Sequence, residues 1–126
     1  IDVGQHRVPL GAFSHALLGI LDAIADPMAR ALTALKAGDL ESYDAIAKPC
    51  EALGRWLFQP PTQFYKSGLA YLAWANGHQP NPMLLNHEEF ARDRSYYEGL
   101  IPLAQAAGAF DSERALNIPD GVANRA

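Results

Sequence analysis

"PPTQFYKSGLAYLAWANGHQ", residues 60–79, decides how this chain folds. After the Pro60-Pro61 break, Phe64, Tyr65, Leu69, Tyr71, Leu72 and Trp74 are distributed around every side of a helix expected from Thr62 to Asn76. Thr62 is the expected N-cap and Gly77 the stop. A helix that is apolar nearly all round is one buried between others. Lys66 is the only Lys, Arg, Asp or Glu between Arg55 and Glu88. A desolvated lysine amine is what an enzyme uses to form a Schiff base. The ordinary reading is a lysine in the first turns of a helix, with its stem against Ala70 and Ala73 and its ammonium in water. No tyrosine base and no carbonyl-binding loop adjoins Lys66, and the ordinary reading is preferred.

Working outward toward the N-terminus, Leu17, Leu21, Ile24, Met28, Ala31 and Leu35 recur at three- and four-residue steps, an apolar stripe on a helix expected from Ala12. Asp26-Pro27 interrupts it, with Pro27 suited to a first turn and Asp26 to its N-cap, so either one kinked helix or two abutting ones are expected. Gly38 should end this element and Asp39 cap the next. The second helix carries Leu40, Tyr43, Ile46, Cys50, Leu53 and Leu57 on one side, and Pro49 should kink it. Beyond residue 76, "GHQPNPMLLN" has no helical logic. Asn86, with Glu89 three residues on, marks the start of a fourth helix running through Tyr97, Ile101 and Ala104 to about Gly108, with Pro102 a candidate kink. The expected fold is all-α, about four helices kinked at prolines. Residues 1–11 form a lead-in, 12–110 the helical region and 111–126 a poorly ordered tail.

Composition excludes several functions. Of the 126 residues, 49% are hydrophobic and 19% charged, which suits a globular domain. A net charge of −4, with ten scattered Lys and Arg, argues against a nucleic-acid partner, which demands clustered cations to neutralise phosphates. No apolar run approaches the roughly 18 residues needed to span a bilayer, so no membrane partner is expected. The single cysteine, Cys50, rules out an internal disulfide framework and fits a reducing cytoplasm. The chain opens on Ile1 with residues that read as the middle of something, and a fragment or processed piece is expected.

The remaining candidates for chemistry have ordinary explanations. His6, His15, His78 and His87 show no zinc-helix spacing, and "NHEEF" lacks the second histidine of HExxH, so no metal or cofactor is expected. Ser14 and His15 are adjacent, which on a helix points them about 100° apart, and Ser14 reads as a cap. Cys50 lies in an apolar stripe and reads as a small core residue. Glu88, Glu89 and Asp93 suit the positive end of a helix dipole. Tyr96 and Tyr97, beside Arg92 and Arg94, read as an interface or as a half-exposed aromatic face. Nothing here composes a self-contained catalytic site.

The order of these features nonetheless has a parallel. "LKAGDLESYDAIAKPCEALGRWLF" (residues 35–58), then a proline break, then "PTQFYKSGLAYLAWANG" (61–77), resembles the C-terminal helical region of the dihydrodipicolinate synthase and N-acetylneuraminate lyase superfamily. Gly38-Asp39, Pro49, Pro61, Lys66 and Gly77 occupy the places of its turn, mid-helix proline, leading proline, early lysine and terminal glycine. "SHALLGILDAIA" (14–25) and "LAQAAGAFD" (103–111) are similar to an uncharacterised dihydrodipicolinate-synthase-like group, while "PNPMLLN" (80–86) departs from it. The resemblance covers roughly residues 11–111.

The resemblance implies the C-terminal helical part of a truncated (β/α)8 barrel. Its parent would be a lyase that makes or breaks a bond next to a small 2-oxo acid through a lysine imine, with homo-oligomers in prospect. The imine lysine and the proton-relaying tyrosine of that superfamily lie on barrel strands preceding this region, so Lys66 corresponds to neither. Active sites of such barrels sit at the C-terminal ends of the strands, which makes Phe13, Ser14 and His15 the residues nearest a substrate pocket. The competing expectation is a free-standing helical bundle that binds a protein partner, with Phe64, Tyr71 and Trp74 inside its own core.

Overall fold

A computed structural model describes residues 19–110, together with the backbone of Asp2–Val3 and His6–Arg7. The latter form a short antiparallel pair of strands, β1 (Asp2–Val3) with β2 (His6–Arg7), pairing Asp2 with Arg7 and Val3 with His6. The rest is helical, as expected: α1 (Leu21–Lys36), α2 (Leu40–Leu57), α3 (Tyr65–Ala75) and α4 (Arg94–Ala106), with 3₁₀ segments at Thr62–Phe64 and Leu85–Ala91. The expected helical residues before Gly19, including Leu17, and the tail 111–126 lie outside the described residues.

Proline chemistry shapes α1. Ile24 leaves helical geometry at φ −131°, ψ 24°. Pro27 has no N–H to offer the carbonyl of Ala23 and its ring crowds that oxygen, so the break next to Ala23 puts Pro27 in the first turn of a fresh segment. At Pro49 and Pro102 the helices run on without a break, and no residue of α2 or α4 leaves helical φ/ψ. α2 is clasped by α1 along one side and α4 along another, and that packing holds it continuous across the missing bond.

The helix ends follow local rules. Asp39 caps α2 by accepting the Ser42 N–H at 3.0 Å. Gly38 and Gly77 take φ of +78° and +74°, which lets Asp39 N–H reach the Ala34 carbonyl and His78 N–H the Ala73 carbonyl, both at 2.9 Å. These are the six-residue closures that satisfy the last carbonyls of α1 and α3. Two expected caps are corrected. Thr62 does not cap α3; its hydroxyl points back and donates to the Phe58 carbonyl at 3.0 Å. Asn86 does not open α4, since it sits at φ +59° within a 3₁₀ segment, and Asp93 is the cap, accepting from Tyr96 N–H at 3.0 Å.

The core lies where α2, α3 and α4 meet. Leu53, Leu57, Tyr71, Leu72, Leu100 and Ala104 are buried there, and Ile24 of α1 closes it from the far side of α2. Each buried leucine contributes about 1.5–3 kcal/mol by leaving water. Polar ties set the register. Trp56 Nε1–H donates to the Tyr96 carbonyl at 2.9 Å, Tyr96 O–H to the Leu57 carbonyl at 3.1 Å, and Asn76 Nδ2–H to the Ala109 carbonyl at 2.8 Å.

Candidate functional site

Two places on this scaffold gather polar or reactive groups. The first is an open groove of about 460 Å³ between α1 and α2. Ile20, Leu21, Ile24 and Met28 form one wall; Tyr43, Cys50 and Phe58 contribute to the other. The α2 rim is charged, with Lys48 paired to Asp44 at 3.0 Å and Arg55 paired to Glu51, each pair one helical turn apart. At its base Cys50 is 2% exposed and its Sγ faces the Ala107 carbonyl at 3.7 Å. Burial pushes the thiol above its ordinary pKa, against a smaller opposing pull from Arg30, so it is held as the unreactive neutral thiol. The groove is therefore a packing surface with charged edges.

The second place surrounds the start of α4. Arg92 sends its guanidinium under the Pro60-Pro61 turn, a cis peptide, and donates to the carbonyls of Gln59, Pro60 and Pro61 at 2.8, 2.9 and 2.9 Å. Its cation lies over the Tyr96 ring, 4.5 Å from the centroid. Tyr96 and Tyr97 are 4% and 7% exposed, which corrects the half-exposed face expected for them. Burial pushes Tyr96 up to about 12, and burial likewise raises Tyr97. Both phenols stay neutral and act as donors, Tyr96 to Leu57 and Tyr97 to the Glu89 carbonyl. Glu89 was expected among the acids opening a helix. It is instead buried in the 3₁₀ segment, where its carboxylate accepts Leu84 N–H at 3.0 Å and faces His87 Nδ1 at 3.2 Å.

The residues singled out in the sequence separate into three groups. Phe13, Ser14 and His15 lie outside the described residues. Lys66 is exposed on α3, with its ammonium toward water as the ordinary reading holds. His78 and His87 are exposed as well. Among the described residues no group of three or more His, Cys, Asp or Glu side chains is gathered as a metal site would need. Nor is any described helix long and apolar enough to cross a membrane. Arg92 and the burial of Glu89 were missed by pattern reading because each depends on residues about 30 positions away or on a non-periodic turn. The two prolines offered the only clue, since a Pro-Pro turn leaves several carbonyls without local donors.

A family model described as "Protein of unknown function (DUF993)" matches residues 5–118. Comparison with curated proteins returned no match.

Proposed function

The chain belongs to the DUF993 family, and from that premise we propose that it is the C-terminal helical part of a dihydrodipicolinate-synthase-like (β/α)8 protein, serving as scaffold rather than as catalyst. The parent protein is read as a cytoplasmic Schiff-base lyase acting on a small 2-oxo acid, its imine lysine lying in the barrel and not at Lys66. The observation that carries this reading is the groove between α1 and α2. Ile20, Leu21 and Met28 are only half-buried around it, beside the buried Ile24 on the core-facing side of α1. An apolar stripe left half-covered beside its own core contact leaves room for a further packing neighbour. The succession of a glycine–aspartate turn, an unbroken proline-containing helix, a proline break and a glycine-ended helix with an exposed lysine supports the same reading. A second reading, a free-standing interaction module, is favoured by the enclosed core around Tyr71 and Leu72, although Phe64 and Trp74 are only half-buried.

Borohydride trapping with pyruvate, run on the 126-residue chain and on a full-length parent, tests the proposal. Labelling of the parent alone, on a lysine outside this sequence, is the expected result. A pyruvate adduct on Lys66, located by mass spectrometry, would sink it. If neither protein is labelled, the lyase reading fails and the interaction module takes its place.

A further inference from the structure

Residues 84–90 hold an arrangement that neither reading above requires. Asn86 and His87 are consecutive non-glycine residues in the left-handed region, with φ of +59° and +55°. Asn and His enter this region more readily than most L-residues, but two in succession persist only where the surroundings hold them. What faces this turn is the Glu89 carboxylate, 6% exposed. One oxygen accepts Leu84 N–H at 3.0 Å and the other lies 3.2 Å from His87 Nδ1. A buried carboxylate is costly unless its oxygens are bonded, so these bonds and the left-handed pair depend on each other. Tyr97 O–H, donating to the Glu89 carbonyl, fastens the end of the turn to α4. On its outer side Met83, Leu85 and Phe90 are 58%, 89% and 52% exposed.

We infer that the Glu89 carboxylate is a charge-operated latch, which when ionised holds residues 84–89 in the left-handed turn and when neutralised releases that turn. His87 strengthens the hold in its protonated form, the only form in which the contact is an ion pair. The other groups around it come from three elements. Its own segment carries Glu88; α4 contributes Tyr97, with Arg92 just before it; α3 contributes Tyr71, packed on Tyr97 at 4.9 Å. Burial raises the Glu89 carboxyl, but the Leu84 N–H, its own backbone N–H and His87 together outweigh burial and hold it below the ordinary glutamate value. The latch is therefore closed above the ordinary carboxylate range and opens as pH falls through the depressed value.

A pH titration of the 126-residue chain by NMR tests this. The Leu84 and His87 amide resonances should move with the midpoint of the Glu89 side-chain carboxyl, while the Ser42 amide follows Asp39. Protection of the Leu84 amide from exchange should drop about tenfold when Glu89 is protonated, the loss expected for one charge-assisted bond. E89Q at neutral pH should reproduce that drop. Adding N86G and H87G, which make the left-handed turn free of strain, should restore most of the protection. If E89Q fails to fold, the wild-type titration alone decides. A Leu84 amide that ignores the Glu89 titration, or a folded E89Q with wild-type protection, overturns the inference.

Discussion

Gly68→Ala and Gly54→Ala make the same chemical change inside two helices and should move stability in opposite directions. In a helix interior, alanine gains about 1 kcal/mol over glycine from backbone entropy. At Gly68, on the face of α3 that meets α2 and α4, a Cβ would lie 2.4 Å from Leu57 Cδ2, 2.6 Å from the Tyr96 hydroxyl and 3.3 Å from Leu100 Cδ1. Leu57 and Leu100 are fully buried and Tyr96 is 4% exposed, so none has room to retreat. Overpacking of this kind costs about 1–3 kcal/mol, and displacing Tyr96 O–H from the Leu57 carbonyl costs about 1 kcal/mol more. The net is a loss of about 1–3 kcal/mol, at roughly 4–8 °C of Tm per kcal/mol for a domain this size. At Gly54 the new Cβ meets only Ile20 Cγ1 at 3.6 Å and Cδ1 at 3.9 Å, ordinary contact at the edge of the groove. There the propensity gain survives, and Tm should rise by roughly 4–8 °C. Circular dichroism melts of both variants beside wild type are sufficient. A Gly68→Ala protein melting at or above wild type would refute the claim that close approach of three elements, and not helix propensity, sets the residue at position 68.

Cys50 should react with a thiol reagent at least about tenfold more slowly in the native chain than in denaturant, because burial both excludes the reagent and raises the thiol pKa; equal rates would show that the α1–α2 contact opens readily. Arg92→Lys keeps the charge but replaces a planar fork with a single ammonium that cannot serve three carbonyls while lying on Tyr96, and it should cost about 1–2 kcal/mol in denaturant unfolding; a change within error would mean the Pro60-Pro61 turn needs no clamp. The caps predict a pH dependence. Ser95 and the Tyr96 N–H hold Asp93 below the ordinary carboxyl value, as Ser42 does for Asp39. Their contribution is complete above the unfolded aspartate value of about 3.9 and is lost as pH falls through the folded values. Melts of wild type should therefore decline below about pH 4, and a D39N/D93N protein should decline less steeply; parallel curves would assign acid lability elsewhere.

Much of this architecture is local in origin and was legible in the chain. The apolar steps through Leu53 and Leu57, the left-handed glycines at 38 and 77, and the Asp39 cap each follow from a few consecutive residues whose backbone chemistry allows little else. Lys66 was legible for the same reason: the first turns of a helix offer a long side chain an easy path to water. Where reading by pattern failed, a partner remote in sequence had decided the outcome. Asn86 with Glu89 looks like a capping box, yet Glu89 spends its carboxylate on Leu84 and His87, which leaves the capping of α4 to Asp93.

Sequence alone thus determined that the chain is helical, where most of its helices stop and which stripes are apolar, because those properties are set by dihedral preference and by periodicity within one element. Tertiary structure decided which proline breaks its helix, since Pro27 lies in the first turns of α1 while Pro49 lies in α2, packed between α1 and α4. It also decided that Tyr96 and Tyr97 turn inward, that Arg92 gathers three carbonyls, and that one face of α1 is left as a groove. Burial and hydrogen-bond partners at long range are properties of the packed array, and no window of neighbouring residues contains them.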